Sequence, residues 1–173
     1  MQSLEKILKT EDKCDFEKAF NLYNELFEKD KADFEIWKHF YFFLWIAIEE
    51  TSSDFHEKIN LRQRLKLMFE EGKNKFKDNA KFNFITGYTV SIFPYEYGNY
   101  DNLEKQGKEM LKKAAVSEPN NKIYRMVYLG SLTNYNKDEL RKAEIEASPI
   151  VTKKYNGPGL MNRYFRQVLN RAK

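Results

Sequence analysis

Cysteine is almost absent from this 173-residue chain: Cys14 stands alone, so no intramolecular disulfide can form, which suits a reducing compartment. Histidine is nearly as scarce. His39 and His56 are the only two, and neither has a second His or a Cys at ligand spacing, so no metal or cofactor is expected. Seven Gly and four Pro leave few positions where a helix must break. The longest apolar stretch, Ile36–Ile48, has 13 residues and is interrupted by Lys38 and His39, well short of the roughly 20 that span a bilayer. The N-terminal MQSLEKILKTEDK lacks the apolar core of a secretory signal, so the expected location is cytoplasmic. Signatures of a P-loop, a G-x-G-x-x-G turn or a G-x-S-x-G elbow are missing too. The adjacent carboxylates Glu49-Glu50 and Glu70-Glu71 diverge by about 100° on a helix and make no catalytic pair. An enzyme is not expected.

What is present suits a folded, helical protein. The chain is 42% hydrophobic, 16% aromatic and 32% charged, which argues against disorder. Eight segments carry helical spacing: Asp15–Glu28, Phe34–Glu50, Ile59–Phe76, Ala80–Phe93, Leu103–Ser117, Lys122–Tyr135, a segment from Asn136–Asp138 to about Val151, and Leu160–Arg171. Asp33 and Asn79 stand where N-caps belong. No strand alternation, low-complexity linker or domain boundary interrupts residues 1–173, so the fold class is all-α in a single domain of about 7–8 helices. Short loops imply antiparallel neighbours. Within Phe34–Glu50, the run FYFFLWIAI (residues 40–48) predicts a core helix sandwiched on both sides. His39 falls in this segment, where a packing role is expected. His56 is expected at the surface.

Gly107, Leu111, Ala114 and Pro119 fit the second-helix spacing of the tetratricopeptide pattern, A-x3-F-x2-A-x4-P, with Gly for the first small residue and Leu for Phe. Leu65, Phe69 and Gly72 fit it partly, and Ala19 with Tyr23 less well. Projecting those frames into the next helix sets Trp37 at the pattern's Trp and Gly87 at its Gly, while Gly130 misses by one residue. Over roughly residues 14–135 the chain thus resembles a degenerate tetratricopeptide-like α-solenoid of antiparallel helix hairpins. A closed helical bundle fits the same pattern. The segment 157–171 would then cover the open end as a capping helix.

Charge is unevenly placed. Residues 1–57 hold 14 acids against 7 bases, and residues 58–173 hold 12 acids against 23 bases. The basic part interleaves Tyr88, Tyr95, Tyr97 and Tyr100 with Lys105 and Lys108, a pattern that single-stranded RNA binding uses. Glu104, Glu109 and Glu118 dilute it, and tyrosines packing a loop account for it as well.

The most distinctive stretch is NGPGLMNRYFRQVLN (residues 156–170), a turn followed by a short amphipathic helix. From Gly157 to Leu169 it resembles the Tyr-Phe-Arg tail of small bacterial helical-repeat proteins encoded beside polymorphic toxins, among them immunity proteins of contact-dependent growth inhibition systems. That resemblance implies a cytosolic antidote that binds a cognate toxin domain, commonly a basic nuclease, and occludes its active site. An acidic region would steer such a partner, and charge alone selects Glu25, Glu28, Asp30, Asp33, Glu35, Glu49, Glu50 and Asp54. A tetratricopeptide-like scaffold or chaperone adaptor for peptides is the alternative, with RNA binding third. The expected partner is a protein, with no membrane involved.

Overall fold

Side-chain oxygens of Ser, Asp and Asn set where most helices begin. In the computed structural model, which describes residues 3–172, Ser3, Asp15, Asp33, Ser52, Asn79, Asn99, Asn121 and Asn136 each accept a backbone N–H from the first turn that follows. Each such cap satisfies a donor the helix cannot, worth about 1 kcal/mol. The elements are α1 (Leu4–Glu11), α2 (Phe16–Lys29), α3 (Phe34–Glu50), α4 (Ser53–Ile59), α5 (Leu61–Phe76), α6 (Ala80–Ile92), a single 3-10 turn (Pro94–Glu96), α7 (Tyr100–Ser117), α8 (Lys122–Ser131), α9 (Lys137–Lys154) and α10 (Leu160–Val168). Among the described residues the protein is all-helical, with no strand.

The sequence reading missed α1 and α4. They are only 8 and 7 residues long, too short for a helical period to repeat convincingly. It also ended α9 at about Val151, whereas the helix carries Pro149 inside it and continues to Lys154. Proline frees the carbonyl one turn back but does not stop a helix whose flanks are packed, and Ala147 and Val151 are fully buried.

Two compact units emerge. The first runs through Phe76 and takes in Gly157–Arg163; the second comprises Lys77–Asn156 and the residues from Tyr164 onward. In the first unit α3 lies between α2 and α5. Phe40 stacks on Tyr23 of α2 at 5.0 Å between ring centroids, with Phe20 and Phe27 at 6.0 and 5.9 Å. Along the helix from these rings, the Trp37 indole N–H donates to the Met68 carbonyl of α5 at 3.1 Å. Every residue from Ile36 to Ile48 is buried, His39 included. Burial on that scale contributes roughly 1.5–3 kcal/mol for each large side chain.

The second unit is built on the α6–α7 crossing. Gly87 and Gly107 face each other there, and a Cβ added to Gly87 would meet the Gly107 carbonyl and the Leu111 amide at 2.9 Å. Only bare backbone permits that approach. The second unit's aromatic core gathers Phe84, Tyr124, Tyr155 and Phe165, with Phe84 stacked on Tyr124 at 4.5 Å.

Candidate interaction surfaces

The eight acidic residues singled out by charge do not form one patch. At 1.5 Å per residue, the 17-residue α3 separates its two ends by about 24 Å. Glu28, Asp30, Asp33 and Glu35 gather at its N-terminal end, with Glu25 exposed one turn before the end of α2. Most of these carboxylates have local work. Glu28 pairs with Lys31 at 2.9 Å and Glu35 with Lys38. Asp30 accepts the backbone N–H groups of Ala32 and Asp33, and Asp33 caps α3.

The C-terminal end of α3 differs. Glu49, Glu50 and Asp54 are exposed, and among the described residues their side chains make no ion pair or hydrogen bond. No basic residue occupies the last turn of α3, so its negative dipole end adds to their field. His56 sits beside this turn and is half-buried rather than on the surface. Its Nε2 lies 3.1 Å from the Ala47 carbonyl, which also accepts from the Thr51 hydroxyl at 2.6 Å. The ring therefore carries its proton on Nε2 and closes the end of α3.

A groove of about 270 Å³ opens in the first unit between α2 and α5, with Phe27, Phe40 and Met68 at its base. Leu67 stands on its edge with 60% of its surface exposed. Arg64 is fixed there by the Asn24 carboxamide at 2.7 Å and by the Phe20 ring at 5.1 Å. Of the eight acids only Glu28 lines this groove.

Sequence reasoning passed over Glu11, which is buried at the end of α1. Its carboxyl accepts the Tyr23 hydroxyl at 2.7 Å and the Leu160 amide at 2.8 Å, while Asp12 accepts the Gly159 amide at 3.0 Å. The N-terminus of α10 is thus capped by side chains from the other end of the chain. Burial pushes the Glu11 carboxyl up from 4.5 to about 7, against the lowering effect of its two hydrogen bonds. Gly159 has φ +96°, and a Cβ there would meet Leu8 at 2.7 Å and Glu11 at 2.8 Å. Packing therefore accounts for the glycine in the Gly-Pro-Gly turn. No local pattern marks Glu11, because its partner lies 149 residues later.

The tyrosine-rich stretch is divided: Tyr88 and Tyr97 are buried, and Tyr95 and Tyr100 are exposed. Lys108 is held by Glu104 at 2.8 Å. Among the described residues, no three His, Cys, Asp or Glu side chains are grouped to hold a metal ion, and no helix is long and apolar enough to cross a membrane. Comparison of the chain with models of protein families, with curated proteins and with solved structures returns no match.

Proposed function

We propose that the protein is a non-enzymatic, cytoplasmic antidote of the immunity type, which binds one basic toxin domain and occludes its active site. The observation that carries this reading is the exposed cluster Glu49, Glu50 and Asp54 at the α3–α4 turn, which no base of the described residues neutralises. Unneutralised surface charge of one sign raises the association rate of an oppositely charged partner. Of the acids at the other end of α3, Glu28, Asp30, Asp33 and Glu35 serve caps and local ion pairs, which leaves them less of their field for steering. On this reading the helices are hairpins of a degenerate tetratricopeptide-like solenoid, and the close backbone approach of α6 and α7 at Gly87 and Gly107 supports it.

Co-expression with the product of the adjacent reading frame is the test. That product should arrest growth alone and be harmless with this protein; a product harmless by itself removes the antidote reading. Changing Glu49, Glu50 and Asp54 together to Lys should slow association at low salt by roughly tenfold or more, whereas Glu25→Lys with Glu28→Lys should change it far less. The groove bearing exposed Leu67 favours a second reading, a peptide adaptor. An adaptor binds several short apolar peptides and loses them on Leu67→Glu.

A further inference from the structure

The turn NGPG (residues 156–159) is anchored at its far end, where the amides of Gly159 and Leu160 donate to Asp12 and Glu11 at 3.0 and 2.8 Å. The residue before the turn is fixed as well: Tyr155 is buried, and its amide donates to the Val151 carbonyl at 3.0 Å. The pair between these anchors, Asn156-Gly157, is not held. Asn156 is exposed, and among the described residues neither its carboxamide nor the Gly157 amide forms a hydrogen bond.

Asn156 is the only asparagine of the chain followed by glycine, and glycine bares the next backbone nitrogen, with no Cβ to shield it. Several other carboxamides are occupied. Those of Asn79, Asn99, Asn121 and Asn136 cap helices, Asn24 holds Arg64 at 2.7 Å, and Asn162 donates to the Pro158 carbonyl at 2.8 Å. A cation also stands near the free pair. The Arg166 guanidinium donates to the Tyr155 carbonyl at 2.6 Å, one residue before Asn156, and positive charge there eases the loss of an amide proton.

We propose that Asn156 is a site of spontaneous covalent modification, in which the Gly157 nitrogen closes on the Asn156 side chain. Solvent takes the Gly157 amide proton, and the nitrogen attacks Cγ of Asn156. A C–N bond forms, the Cγ–Nδ2 bond breaks, and Nδ2 takes a proton from solvent and leaves as ammonia. Water then opens the cyclic imide at either carbonyl, giving aspartate or isoaspartate with nothing oxidised or reduced. The product's net charge is one below the +4 of the unmodified chain. Opening at the main-chain carbonyl also adds a methylene to the backbone between two anchored points, Tyr155 and Gly159. The reaction is local and does not rest on the antidote reading.

Incubation of the folded, full-length chain in mildly alkaline buffer, followed by peptide mass mapping, tests this. A mass gain of about 1 Da should appear in the peptide carrying Asn156 at least about tenfold faster than at any other asparagine. Labelling by an isoaspartyl methyltransferase should find isoaspartate among the products. Gly157→Ala should slow the gain severalfold or more. The Cβ it adds meets only the Asn162 side chain, at 3.1 Å, so the fold tolerates it. A synthetic peptide of residues 153–160 supplies the unprotected rate without recourse to any variant, and the folded chain should react within about thirtyfold of it. A slower folded-state rate, a product free of isoaspartate, or a gain that Gly157→Ala leaves unslowed overturns the proposal.

Discussion

Among the described residues α3 and α6 carry the longest unbroken runs of buried residues, one in each unit, and they are buried by opposite means. α3 contributes thirteen successive buried residues dominated by rings, which fill wide gaps to its neighbours. α6 contributes nine, Phe82–Val90, and among them are Asn83, Thr86, Gly87 and Thr89. Its polar groups are satisfied locally: Thr86 donates to the Phe82 carbonyl at 2.7 Å, Thr89 to Ile85 at 3.1 Å, and Asn83 to the Lys77 carbonyl at 2.8 Å. A helix can enter a core through bulk or through closeness. The first route depends on side-chain volume and the second on backbone geometry.

The comparison breaks most visibly at Phe40. Phe40→Ala empties the space that Tyr23, Phe20 and Phe27 enclose and should cost about 3–5 kcal/mol. Urea denaturation measures it, and a loss below about 1 kcal/mol would mean that α3 is not the fixed centre of its unit.

The next effect separates the two units by pH. The asparagine and threonines buried in α6 carry no titratable group, whereas Glu11, bonded to the Tyr23 that stacks on Phe40, does. Its folded pKa of about 7 lies above the ordinary 4.5, so between those values the folded protein holds more proton than the unfolded chain. Stability from this group is complete below about pH 4.5, declines as pH rises, and is gone above about pH 7, an amplitude of roughly 3 kcal/mol. Glu11→Gln should lack that decline, so the difference between wild type and variant changes by about that amount across the window. Parallel pH profiles would count against it.

At the α6–α7 crossing, Gly87→Ala gains helix propensity of up to about 1 kcal/mol but drives a methyl into the Gly107 backbone. A net loss of roughly 1–3 kcal/mol is expected, read as a lower thermal midpoint. The smallest effect is Thr86→Val. It removes a hydroxyl bonded only to its own helix and to the Met110 sulfur at 3.9 Å, so stability should shift by about 1 kcal/mol or less. A larger loss would show that the threonines of α6 do more than satisfy themselves.

These contrasts also mark what the sequence made legible. FYFFLWIAI announced α3 because a continuous apolar run has one physical outcome in water, and Asp33 and Asn79 announced their helix starts because a cap acts on the residues beside it. Gly87 and Gly107 stood out as small residues at helical spacing, but the close approach that sets them against each other was not legible. Charge counting, by contrast, gathered eight acids that a 17-residue helix holds apart, and it could not distinguish Asp33, which serves a cap, from Glu50, which serves nothing internal. Glu11 depends on a partner far along the chain, and the Gly87–Gly107 approach on two separate helices. Such juxtapositions leave no local mark.

The capping of α10 by Glu11 and Asp12 sets a schedule for synthesis. At about 5–20 residues per second, the 149 residues between Glu11 and Leu160 take roughly 7–30 s to make. For that interval α1 and α2 exist on the ribosome with a carboxylate aimed at a helix not yet translated. The first unit, although it begins the chain, can close only when Gly157–Arg163 has left the exit tunnel.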